Sequence, residues 1–188
     1  MHCPQTNAIE SLAFGIQRVN TNFCAFLGDD DLPFLKSYEK CVSVLIDQRH
    51  IDSCYGHASF INFDELFYLG AGGISRKFWF VVKTFIAPRY DRPVALDNID
   101  AKMRLQNLAD KYIVSQFFVT RTKVLKTLYN EPISLIRDTH LSEYAICYAH
   151  AALARSKYIP VLYMLRGIGN HRPNSRRDER RHILEQTG

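Results

Sequence analysis

The 188-residue chain is 47% apolar and 12% aromatic, enough for one packed core, and its 23% of charged residues excludes the composition of a disordered chain. No run reaches the roughly 18 consecutive apolar residues of a membrane span, and a formal charge of +5 points to an anionic partner. Five cysteines (Cys3, Cys24, Cys41, Cys54 and Cys147) are odd in number and form no C-x-x-C pair, which argues against a disulfide framework or a zinc site. Reduced thiols fit the cytoplasm. The opening MHCPQTNAIE lacks the basic-then-apolar pattern of a signal peptide. The expected location is therefore cytoplasmic, at most peripheral at the inner membrane.

Signals in the first third of the chain are local. Asp29-Asp30-Asp31 precede Leu32-Pro33-Phe34-Leu35 and read as the acidic amino end of a helix. Residues 41–47 (CVSVLID) read as a strand, with Gln48-Arg49-His50 after it. A short capped helix is expected over 62–70, closed by Gly70. Gly72-Gly73 is a turn without the spacing of a phosphate-binding loop. His50 and His57 stand alone, as structural or exposed histidines usually do. No internal repeat is present.

Beyond residue 76 the elements are better defined. Residues 77–86 (KFWFVVKTFI) read as a strand, and the prolines of the following APRYDRP segment forbid regular structure there. A helix is predicted over 97–112, with Asp97 as its cap and Ala101, Leu105, Leu108, Ala109 and Tyr112 on its buried face. Residues 115–120 (SQFFVT) read as the next strand. An apolar run at 133–136 then ends in Arg137-Asp138-Thr139-His140. Leu141, Tyr144, Ala145, Tyr148, Ala149, Ala152 and Leu153 follow at helical spacing, giving a helix over about 141–156. A second apolar run, 158–165, closes a strand–turn–helix–strand unit. The turn sets charged side chains at the amino end of a helix, where backbone N–H groups favour anions. The tail holds Arg166, Arg172, Arg176, Arg177, Arg180 and Arg181 around a turn-rich stretch, with a short helix expected over 176–186. Such clustering is a phosphate footprint, or else a solvated tail.

This order of elements, with Ile159-Pro160-Val161 opening the last strand and His140 in the preceding loop, resembles the ParB/sulfiredoxin superfamily over about residues 77–165. Residues 167–172 (GIGNHR) resemble that family's G-x-H-R loop and form a rival site to 137–143. The resemblance implies an α/β (α+β) single domain, a mixed sheet with packed helices. Residues 1–76 would extend the core, 77–165 would be the core itself, and 166–188 an Arg-rich carboxyl segment. No cysteine lies in the loop, which excludes sulfiredoxin chemistry. Phosphoryl chemistry needs cations on the phosphate oxygens, usually with a metal. The catalytic set expected is Arg137, Asp138, His140, Glu143 and Arg89, with Asp138 and Glu143 holding Mg²⁺ and ATP as the nucleotide. Arg92, Arg121, Arg172, Arg176, Arg177, Arg180 and Arg181 are the expected nucleotide- or DNA-binding residues. Within the superfamily the chain looks like the plasmid fertility-inhibition proteins. That likeness implies a block of conjugative or type IV secretion DNA transfer, with DNase or ATPase activity. The alternatives are a non-catalytic inhibitor that binds DNA or the secretion machinery, and a DNA-binding regulator. The last lacks a helix-turn-helix signature.

Overall fold

The computed structural model describes residues 8–29, 31–61, 93–130, 136 and 138–167, the side chains of 8, 61, 139 and 140 excepted. Its centre is a pair of parallel strands, β3 (Ser53–Ile61) and β5 (Ser156–Gly167). They are unequal: nine residues face twelve. The surplus is absorbed where Tyr55 pairs with Tyr158 but His57 with Leu162, and again between His57 and Ala58. Pro160 lies in the first irregularity. Proline has no N–H to give to a ladder, so a bulge is where an inner strand tolerates it. There the backbone of β5 closes on Gly56, where a Cβ would lie 2.2 Å from the Val161 carbonyl oxygen.

Among the described residues three short strands extend the sheet. β4 (Val119–Arg121) pairs antiparallel with β3, β1 (Phe23–Cys24) with β4, and β2 (Asp31–Pro33) with β5. The order is β1-β4-β3-β5-β2. Five helices occur among the described residues: α1 (Ala8–Gln17), α2 (Leu35–Asp47), α3 (Ala101–Asp110), α4 (Thr122–Leu128) and α5 (Thr139–Leu153). Neighbouring residues of a strand face opposite sides of the sheet. Cys54 and Val119 accordingly cluster with Cys41 and Leu45 of α2. Tyr55, the next residue of β3, and Phe118, which immediately precedes β4, cluster instead with Leu108 of α3 and with Cys147 and Ala151 of α5. The Tyr55 and Phe118 rings stack at 4.0 Å. Helices thus cover both faces of a mixed sheet, the α/β architecture expected, and the two helices expected to pack on it are α3 and α5. A third cluster joins Ile9 and Ile16 of α1, Leu125 and Leu128 of α4, and Ile146 of α5.

Several elements differ from the sequence expectation. Residues 41–47 are helical, not a strand: the fully buried positions of α2 are Cys41 and Leu45, one helical turn apart, so the period is 3.6 rather than 2. Asp31 caps no helix. It lies buried in β2, its Oδ2 accepting the Gly28 N–H at 3.2 Å, and α2 starts after Phe34 with no side-chain cap. The cap of α3 is Asp100, whose Oδ1 accepts the Lys102 N–H at 2.9 Å, and not Asp97. Arg104 ties down the segment before α3. It is 4% exposed and donates to the carbonyls of Asn98 and Ile99 and to those of Ala151 and Ala152 at the end of α5. Residues 115–120 are split. Ser115–Phe117 is a 3₁₀ turn, its Ser115 N–H held by Cys147 Sγ at 3.4 Å, and only Val119–Arg121 is strand. The expected elements at 62–70, 77–86 and 176–186 lie outside the described residues, as does most of the run at 133–136.

Two glycine substitutions separate crowding from open space. Gly56→Ala drives a methyl into the Val161 carbonyl and is expected to cost about 2–3 kcal/mol, a fall of roughly 5–10 °C in thermal midpoint. Gly15, within α1, has nothing within 4 Å of an added Cβ, so Gly15→Ala is expected to stabilise by about 0.5–1 kcal/mol through helix propensity. Calorimetry on both variants checks the pair.

Candidate functional site

The amino end of α5 holds the carboxylates expected to act chemically. Asp138 Oδ1 accepts the Leu141 N–H at 2.9 Å, and the Asp138 carbonyl accepts the Ser142 N–H at 2.9 Å, which makes Asp138 the cap of the helix. Glu143 turns away to a different set of donors. Its carboxylate accepts the Tyr112 hydroxyl at 3.1 Å and Gln116 Nε2 at 3.3 Å. Tyr112 also reaches Cys147 Sγ at 3.5 Å. Burial first, then Cys147 and Glu143, push the Tyr112 phenol far up, so it stays protonated as a donor. Asp138 and Glu143 are thus engaged by separate protein donors, and no cluster of three or more metal-ligating side chains occurs among the described residues. Arg121 is occupied as well: it donates to the Ile51 carbonyl at 3.0 Å and to the Leu45 carbonyl in the last turn of α2. Arg89, Arg92, Arg137, Arg172, Arg176, Arg177, Arg180 and Arg181 lie outside the described residues, as does the side chain of His140. His50 is exposed, and His57 lies 3.5 Å from the Tyr158 hydroxyl.

A cleft of about 130 Å³ opens at the carboxyl ends of the parallel pair, the position where open α/β sheets receive ligands. Beyond the bulge, Ala58 pairs with Met164 and Phe60 with Arg166, and all four side chains line it. Tyr112, Phe117 and Tyr163 supply further aromatic wall. The Arg166 guanidinium stacks over Phe117 at 4.3 Å and lies 6.0 Å from the Phe60 ring. On the other side β2 sets Asp31 opposite Arg166, Nε to Oδ1 at 3.7 Å, longer than a hydrogen bond. Asp31 also acts behind the cleft: after burial, its charge is the next cause that raises the Tyr38 phenol, to about 12. Tyr112 belongs both to the cleft wall and to the Glu143 contact, which joins the expected loop to the cleft. Arg166, Phe60, Phe117 and Asp31 were not singled out as a group from sequence. A charged residue ending an apolar run, as Arg166 does after 158–165, is the one local signal that pointed there.

A second constellation imitates a hydrolase pair without being one. Ser53 Oγ and His150 Nε2 are 2.7 Å apart, and Thr120 Oγ1 donates to Ser53 Oγ at 3.0 Å. Ser53 and Thr120 are fully buried and His150 is 1% exposed, so no substrate reaches them. Their role is to pin α5 to β3 and β4. Burial pulls the His150 pKa down to about 4 from the usual 6.5. The unfolded chain takes up this proton near pH 6.5, while the folded chain refuses it until about pH 4. Stability from this group is present in full above pH 6.5 and falls as pH drops through that window, by about 3 kcal/mol in all. Urea unfolding at pH 7 and pH 4.5 is expected to show this loss, and His150→Gln to reduce it.

No protein-family model matches this chain, and no curated protein matches it either.

Proposed function

We propose that the protein binds nucleic acid and thereby blocks plasmid DNA transfer through a conjugation or type IV secretion machinery. It would be a fertility-inhibition factor on a ParB/sulfiredoxin-like scaffold. The observation that carries the binding role is the cleft at the ends of β3 and β5, where Arg166 lies against Phe117 and Phe60. An arginine on an aromatic wall offers a cation to a phosphate and ring faces to a base. The net charge of +5 supports the same partner, and the arginines at 172, 176, 177, 180 and 181 come soon after Arg166 in sequence. The inhibitory role in DNA transfer is supported by the likeness to fertility-inhibition proteins. No helix among the described residues is long and apolar enough to cross a membrane.

A catalytic reading has its own support: Asp138 caps α5 and Glu143 lies in its second turn, with Arg137 before Asp138 in sequence and His140 in the first turn. There the protein would be a Mg²⁺-dependent DNase or an ATPase. Asp138 also caps the helix, so Asp138→Ala confounds chemistry with about 1 kcal/mol of lost capping. Asp138→Asn keeps the cap and removes the charge, and is the cleaner probe.

Fluorescence anisotropy on labelled DNA across a salt series tests the binding role. Each phosphate contact contributes about −0.9 to the slope of log K against log salt on duplex and about −0.7 on single strands. Arg166→Ala and deletion of residues 172–188 are each expected to weaken binding and flatten the slope. Unchanged affinity and slope in both variants would remove the cleft and the tail from the interface. Incubation of the wild type with plasmid DNA and with ATP, with and without Mg²⁺, decides the catalytic reading. Turnover that Asp138→Asn abolishes supports it. No turnover alongside intact inhibition of transfer leaves a pure binding inhibitor.

A further inference from the structure

We propose that the outer face of α5 continues the cleft as a stacking track for a single nucleic-acid strand. This rests on the nucleic-acid reading above and adds both a second surface and a choice of strand form. Leu141, Tyr144 and Tyr148 recur at spacings of three and four and so share one helix face. That face is turned outward: Leu141 is 62% exposed, Tyr144 49% and Tyr148 37%. Large aromatic side chains left in solvent on one stripe are a recognition feature rather than a core feature. The stripe is joined to the cleft. Tyr112 lines the cleft, is itself 37% exposed, and its ring lies 4.7 Å from that of Tyr144. Tyr112 thus links the cleft, with Arg166 and Phe117 in its wall, to the exposed rings of Tyr144 and Tyr148 on α5.

Ring chemistry selects the occupant. Bases stack on aromatic side chains whatever their sequence, because every base has a π face. In a duplex those faces are already stacked on one another, so this track accepts only an unpaired strand. Size agrees: a protein cavity of about 150 Å³ takes up benzene, and the cleft of about 130 Å³ has room for a base ring. The strand's first base enters the cleft with its phosphate toward Arg166, and later bases lie on Tyr112, Tyr144 and Tyr148. Among the described residues, the Glu143 carboxylate beside the track is engaged by Tyr112 and Gln116, and the Asp31 carboxylate, its side chain 3% exposed, lies 3.7 Å from Arg166 at the cationic end.

The test compares an oligothymidylate of about 20 nucleotides with a duplex of equal length, using the full chain as wild type, Tyr144→Ala, Tyr148→Ala and Tyr144→Phe. Both tyrosines are exposed, and thermal melts establish that the variants fold. Each alanine variant is expected to weaken single-strand binding roughly tenfold while leaving duplex binding and the salt slope unchanged, because a stacking contact carries no charge. Tyr144→Phe retains wild-type affinity, since the ring is kept. Single-strand affinity within about twofold of wild type in both alanine variants overturns the track but leaves the underlying reading standing if the wild type binds DNA. Equal loss on duplex and single strand also overturns it. A wild type that binds neither form overturns both. A wild-type dimer by light scattering that Tyr144→Ala or Tyr148→Ala converts to monomer assigns the face to a second copy of the chain and overturns the track. Binding of a secretion-machinery protein that the same variants abolish, with DNA binding intact, overturns it as well.

Discussion

The close approach of β5 to Gly56 is the constraint on which the site depends. β5 carries Pro160 inside an inner strand, and a proline cannot complete a ladder there. The strand bulges instead, and its Val161 carbonyl comes so near β3 that no side chain fits at residue 56. The consequence lies downstream of the bulge. Register slips by three residues between Tyr55↔Tyr158 and Ala58↔Met164, the partners advancing three positions on β3 and six on β5. Without that slip Phe60 would not meet Arg166. A bulge beside a site re-aims the side chains that follow it, and here it sets a ring beside a guanidinium at the open end of the sheet.

Arginine is used in two distinct ways. Arg104, Arg121 and Arg155 donate to main-chain carbonyls: Arg104 between α3 and the end of α5, Arg121 at the end of α2, and Arg155 at Asp97. Five fixed N–H donors suit a guanidinium to this work, since it can satisfy several carbonyls at once. Arg166 differs. Its neighbours are rings and one carboxylate beyond hydrogen-bond distance, and its side chain is 30% exposed. It keeps its access to solvent.

α5 links these parts. Its buried side carries Ile146, Cys147, Ala151 and His150 into two hydrophobic clusters and the Ser53–Thr120 hydrogen bonds. Glu143 and Tyr112 tie its amino end to the wall of the cleft. One helix thereby fixes the distance between the expected anion loop and the cleft, while its outer face leaves Tyr144 and Tyr148 in solvent.

Sequence alone determined what local periodicity encodes. Apolar spacing at 141–153 marks α5, and the unbroken apolar run at 158–165 marks β5, because those signals arise within one element. It misread Val42, Val44 and Ile46, whose alternation imitates a strand, because only packing of Cys41 and Leu45 against Cys54 and Val119 makes the helix the better state. Glu143 was legible as a polar residue near a helix start, but its commitment to Tyr112 and Gln116 was not, since those partners come from a distant segment. The cleft was the least legible feature. Asp31, Phe60, Phe117 and Arg166 are scattered along the chain, and each is unremarkable where it stands. Strand order and the register slip at Pro160 bring them together, and register is a property of paired strands that no single segment specifies.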